Sequence, residues 1–367
     1  MAEVKDTGIV IHRKRLAKLA LDTKSSARAV SLVYVSDSGE GIVRSREGDT
    51  FVYYKGRKKV INKTTLQRIR SLVLPPTWER VWICAMPDGH LQATGYDAKG
   101  RKQYKYHPLW VAMRNQAKFS HMYEFGQALP VIREAVKKGL RQKELNLQKV
   151  LAAIVAVMQH TSVRIGNSSY EKENGSYGLT TLKDKHVVTK NGTMQFVFVG
   201  KKGVRQCATL DDKKLARIVQ QCKDIPGKEL FQYYDEDGRH YPVDSGMVNS
   251  YIKEISGHPF TAKDFRTWFG SVKALQYLKN ADWCETEKGR KEKIIEAIDA
   301  VAAYLGNTRA VCRKYYIHPA IPERYNENKL GALLCNDPLA DEQEAGLTGD
   351  ERVLMKILEM QAKVVVG

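Results

Sequence analysis

Transesterification at a phosphodiester needs cations on the non-bridging oxygens, a nucleophile, and an acid for the departing oxygen. Four stretches of this chain carry those residue types. TSVRIGNSSYEKENGSYGLTTL (161–182) places Arg164 where an apolar helix stops and a Gly-rich polar segment begins. FVFVGKKG (196–203) puts Lys201 and Lys202 in a turn after a hydrophobic strand. TAKDFRTWFGS (261–271) offers Thr261 as an N-cap, Asp264 in the first turn, and Arg266 beside Trp268 and Phe269. YLGNTRAVCRKYYIHP (304–319) sets Tyr315 and Tyr316 among basic residues. Singly, each is ordinary: a capping arginine, a turn lysine, an arginine laid along packed aromatics, a packing tyrosine. Spacing alone selects neither between the two tyrosines nor between the two lysines. Their order along the chain is what lifts them together.

The chemistry is coherent. A phenol with a pKa near 10 needs a cationic field that favours the phenolate. Two arginines supply that field and keep their protons. A lysine whose pKa is lowered by such neighbours serves as the acid. No cluster of carboxylates for Mg²⁺ accompanies these segments, so neither a metal nor another cofactor is expected.

The elements that must position these groups follow from the whole chain. It has 367 residues, 43% hydrophobic, with a formal net charge of +19. That length favours two domains, and that charge favours a polyanionic partner. The tail, 336–367, is net acidic and is expected to stay off that partner. No run of 18 apolar residues occurs, which argues against a membrane span. The N-terminus lacks an apolar h-region, so no secretory signal is expected and the six cysteines read as reduced thiols. They show no CxxC and no metal-ligand spacing, and no GxxxxGK[ST] loop supports an ATP-driven mechanism.

Residues 31–110 read mostly as strands, at 32–36, 50–54, 81–86 and 91–97, with a helix at 64–72. After about 106 the pattern turns helical, at 108–142, 147–160, 210–223, 243–255, 261–279 and 290–306. A strand insert at 186–203 turns at Asn191-Gly192. The expected architecture is α+β: a β-rich domain over 1–106, a larger helical domain over 107–335, and a tail over 336–367 with a helix at 348–362.

Several motifs in fixed order carry a resemblance: LPPTWERVWIC (74–84), DGHLQATGYDAKGRKQYKYHPLW (88–110), RIGN, ENGSYGLTTL, FVGK, KDFRT and LGNT…CRKxYIHP. With these the chain resembles a type IB DNA topoisomerase of the compact bacterial and poxvirus kind. The resemblance implies a C-shaped clamp on duplex DNA and relaxation of supercoils without ATP or metal. It matches Tyr316, nine residues after Asn307, to the nucleophile that forms a 3′-phosphotyrosyl link. Arg164 and Arg266 match the arginines on the non-bridging oxygens. Lys201, directly after Gly200, matches the acid for the 5′-oxygen. Asn307 stands where poxvirus and nuclear members carry a His, and as a neutral donor it keeps the hydrogen bond.

DNA contacts are expected at Tyr170, Asn174, Ser176, Lys202 and Lys263. In the first domain Gln92, Tyr96, Arg101, Lys102 and Tyr104 are expected on phosphates or base edges. A monomer is expected, in the bacterial cytoplasm on the nucleoid or in a virus. The rival class is a tyrosine recombinase, which shares this chemistry. Recombinases usually show HxxR at the second arginine, where this chain has Lys263 in KDFR.

Overall fold

The computed structural model describes residues 9–12, 15–16, 19, 22–190, 193–335, 346–361 and 363–366. It divides into two compact units, Met1–His121 with Gln361–Gly367, and Met122–Met360.

In the first unit, β1 (Ile9–His12) and α1 (Thr23–Ala29) precede a sheet of β2 (Ile42–Glu47), β3 (Thr50–Lys55), β4 (Lys58–Lys59), β5 (Glu79–Ile83), β6 (Leu91–Tyr96) and β7 (Lys102–Tyr106). The strand order is β4-β3-β2-β5-β6-β7, antiparallel throughout. Helix α2 (Lys63–Ser71) starts on Asn62, whose side chain accepts from the Thr65 N–H. It brings Ile69 against Ile42, Val81, Ile83 and Ala93, the core of this sheet. The expected strand at 32–36 is instead a single bridge between Val33 and Gly89.

Helix α3 (Pro108–Leu140) belongs to both units. Its start buries Trp110, Met113 and Ala117 against Leu16, Ala27, Val30 and Leu32. That packing keeps its first turns in the first unit, beyond the boundary expected near 106.

The second unit continues with α4 (Leu147–Thr161), α5 (Ser168–Asn174), β8 (Val187–Lys190), β9 (Thr193–Val199), β10 (Arg205–Leu210) and α6 (Lys213–Lys223). Then come β11 (Gln232–Tyr234), β12 (His240–Pro242), α7 (Ser245–Ser256), α8 (Ala262–Asn280), α9 (Glu287–Leu305), α10 (Arg309–Tyr315), α11 (Ala320–Asn326), α12 (Leu330–Cys335) and α13 (Gly349–Glu359). Strands β8, β9 and β10 form an antiparallel sheet, β9 central, and β8 pairs with β9 through Lys190↔Thr193. The expected Asn191-Gly192 turn lies outside the described residues.

Helix α4 is buried almost all round from Val150 to Met158, as its unbroken apolar run requires. Phe125 meets Phe260 and Phe265 edge-on and Trp268 at a tilt, beside α8. The acidic tail is not a separate body. Its helix α13 packs on α8, and β13 (Lys363–Val366) pairs antiparallel with β1.

Candidate active site

The end of α4 starts the site. Ser162 adopts the left-handed conformation, φ 52°, which stops the helix and turns the chain outward. The next residues run beside 178–180, with Leu179 N–H donating to Arg164 C=O at 2.8 Å and Thr180 N–H to Ile165 C=O at 2.7 Å. A Cβ on Gly178 would lie 2.5 Å from the Gly166 Cα, so this approach requires glycine. The carbonyls of Arg164 and Ile165 are thereby tied to 179–180.

Arg266 sits in the second turn of α8. Thr261 and Asp264 close that helix start reciprocally, as the sequence suggests. Arg266 is 5% exposed. It donates to the carbonyls of Ser162 and Leu305, and its Cζ lies 5.3 Å from the Tyr316 ring centre. Burial and the positive charge of Arg164 push its pKa down to about 10, while Tyr316 acts in the opposite direction. Among the described residues neither arginine has a carboxylate at ion-pair distance. Two cations held together without a counter-ion make a site that an anion relieves.

Asn307 follows the left-handed Gly306 that ends α9. Its Oδ1 accepts from Arg164, and its Nδ2 is buried without a hydrogen-bond partner among the described residues. Tyr316 closes α10 and is half-buried, whereas Tyr315 is 38% exposed under Lys314. Cys312, one turn before Tyr316, is a poor rival nucleophile, because burial pushes its thiol up to about 11. Lys201 is exposed in the turn after β9, its Nζ 5.4 Å from the Tyr170 ring centre.

These groups meet. A cavity of about 380 Å³ is lined by Arg164, Arg266, Lys201 and Tyr316, with Tyr170, Ser176 and Lys263 among its other walls. An adjoining one of about 250 Å³ joins Arg164, Lys201, Asn307 and Tyr316. Asn174 is exposed at the end of α5, and Lys202 follows Lys201 in its turn, its side chain outside the described residues.

In the first unit Tyr104 is 49% exposed and stacks parallel to Tyr106. Lys102 pairs with Asp37 at 2.6 Å, Arg101 with Asp97 at 2.7 Å, and Arg80 lies over the Tyr96 ring. Gln92 corrects the expectation. It is 3% exposed, donates to the Pro87 and Gly89 carbonyls, and accepts from Arg68. Strand β6 is covered on both faces, so Gln92 is committed to the fold rather than offered to a ligand. The sequence reading missed the Ser162 and Leu305 carbonyls, which leave no side-chain signal.

Residues 100–332 match the family described as eukaryotic DNA topoisomerase I, catalytic core, and residues 50–97 match bacterial DNA topoisomerase IB, N-terminal domain. The chain is 32% identical over 297 residues to DNA topoisomerase 1B of Acanthamoeba polyphaga mimivirus, covering 79% of this chain and 88% of that protein. It is 24% identical over 248 residues to DNA topoisomerase 1B of vaccinia virus strain Copenhagen, covering 67% of this chain and 75% of the other. The chain belongs to the type IB DNA topoisomerase family. It is an enzyme that acts on DNA topology, and no described helix is long and apolar enough to cross a membrane.

Proposed function

We propose that the chain relaxes supercoiled duplex DNA, as a monomer, through a 3′-phosphotyrosyl intermediate on Tyr316. Tyr316 gives up its phenol proton to solvent, its oxygen attacks the phosphorus, the P–O bond to Tyr316 forms, and the bond to the 5′-oxygen breaks. Arg164, Arg266 and the Nδ2 of Asn307 hold the non-bridging oxygens as charge builds. Lys201 gives its proton to the departing 5′-oxygen. The cut strand swivels, and the 5′-hydroxyl attacks the phosphotyrosine in the reverse step. The covalent bond conserves the phosphodiester's energy, so religation calls on no ATP, and the arginines supply the charge a metal would otherwise provide.

One observation carries this reading: Tyr316, Lys201 and both arginines, from four separate segments, line a single cavity. Incubation of the chain with supercoiled plasmid in EDTA without ATP tests it. Relaxed topoisomers and, after denaturation, protein joined to the 3′ end of the nick are expected. Tyr316→Phe abolishes both and keeps DNA binding, while Tyr315→Phe retains them. Adduct formation by Tyr316→Phe overturns the assignment, and strand exchange between two sites without relaxation favours a recombinase.

A further inference from the structure

We propose that Gly270 and Ser271 of α8 position the nucleophile, so that the helix carrying Arg266 also fixes the backbone carrying Tyr316. The proposal rests on the reading of Tyr316 given above. Tyr316 lies at the end of α10, a helix of only seven residues, with φ −128° and ψ −10°. So short a helix is marginal by itself and holds its last residue weakly. Both Tyr316 N–H and Ile317 N–H converge on the Cys312 carbonyl, at 3.0 and 3.2 Å. From there the chain turns to Pro319 and α11.

Ser271 grips that turn from the other side. It is wholly buried. Its hydroxyl donates to the Tyr316 carbonyl at 3.2 Å and accepts from the His318 N–H at 3.0 Å. The sulfur of Met122, at 3.9 Å, is a competing acceptor. A thioether accepts weakly, so the single hydroxyl proton goes to the carbonyl. One side chain thus spans the residues on either side of Ile317.

Gly270 sets how near α8 comes. A Cβ there would lie 2.7 Å from the Tyr316 carbonyl oxygen and 3.2 Å from the Tyr316 Cβ. Arg266 is one helical turn earlier on the same face, its Cζ 5.3 Å from the Tyr316 ring centre. A single face of α8 therefore meets the nucleophile at its ring, its Cβ and its carbonyl. Cation and nucleophile share one rigid support, and loosening the clamp moves one relative to the other. Gly270 and Ser271 are positioning residues, acting through Tyr316.

The full chain tests this on a duplex carrying either the natural 5′-oxygen or a bridging sulfur at the scissile bond. Sulfur leaves without an acid, so it compensates for a lost proton donor and not for a misplaced nucleophile. Ser271→Ala and Gly270→Ala should each slow single-turnover cleavage and religation by roughly 10- to 100-fold, with DNA affinity unchanged. Sulfur should restore neither, and Ser271→Cys, a weaker donor of similar size, should fall between. Val272→Ala truncates a buried side chain of the same helix and should cleave near the wild-type rate. Ser271→Ala cleavage within roughly threefold of wild type, with the adduct still dependent on Tyr316, overturns the positioning role alone. So does rescue by sulfur, or an equal loss in Val272→Ala. If the wild-type chain forms no adduct, or Tyr316→Phe forms one, the reading of Tyr316 falls and the clamp falls with it.

Discussion

Arg164 donates to Oδ1 of Asn307 and so decides which way that amide faces. The arginine can only donate, so the oxygen must turn to it and Nδ2 must turn away. That leaves a buried amide nitrogen, with its N–H donors, without a partner among the described residues, beside the cavity of Tyr316 and Lys201. Asn307→Ala is therefore expected to slow cleavage by about 10²- to 10³-fold, the usual loss for one oxyanion donor. Asn307→Asp should be slower still. It pairs with Arg164, neutralises it, and faces the phosphate with negative charge. Single-turnover cleavage of the two variants checks the order.

The correction at Gln92 makes a second prediction. Truncating it strands the Pro87 and Gly89 carbonyls and one bond of Arg68. Gln92→Ala should cost about 1–3 kcal/mol of stability in urea denaturation and leave DNA affinity unchanged. Tyr104→Ala, on an exposed ring, should do the reverse.

The contrast between those two residues shows where the sequence stopped being legible. Residue types pointed to the four segments, but the resemblance chose Tyr316 over Tyr315, Lys201 over Lys202 and added Asn307; the structure brings these residues with Arg164 and Arg266 around adjoining cavities. Gln92 was not legible, because burial on both faces of a strand is decided by distant packing. Strands β2 and β7 escaped notice because IVRSRE and KQYKY are polar, carrying little apolar alternation. Helix α5 has no buried residue, and only the Asn167 cap and left-handed Gly175 mark its ends. The β1–β13 pairing joins opposite ends of the chain, which no local signal encodes.

A third prediction concerns Glu351. Its buried carboxylate takes both arms of Arg133 at 2.8 Å, the Trp268 indole N–H at 3.0 Å and the Thr348 N–H at 2.8 Å. Burial pushes its pKa up, but the hydrogen bond and charge of Arg133, with the Thr348 and Trp268 bonds, hold it below the usual 4.5. A carboxylate depressed on folding stabilises the fold above its unfolded pKa and loses that contribution as pH falls through the folded one. Stability should therefore decline below about pH 4.5, with a shallower decline in Glu351→Gln. At neutral pH that variant should lose roughly 2–4 kcal/mol in urea denaturation, less than a fully buried pair because Arg133 keeps some solvent.

The last prediction separates proton donation from phosphate binding. Lys201 is exposed in a turn, resting over Tyr170, while Arg164 and Arg266 are held by backbone carbonyls and Asn307. A mobile ammonium suits a group that must reach a leaving oxygen, and fixed guanidiniums suit oxygens that stay with the phosphorus. Lys201→Ala should slow cleavage of an oxygen-bridged duplex by about 10²- to 10⁴-fold, the range for general acid catalysis. A bridging sulfur should return most of that rate to Lys201→Ala and none to Arg266→Ala, since charge on the non-bridging oxygens builds whichever atom leaves. Equal rescue of both variants would give Arg266 a share in the departure of the 5′-oxygen and erase the division of roles. Rescue of neither would place Lys201 with the arginines as a phosphate contact and overturn its assignment as the acid.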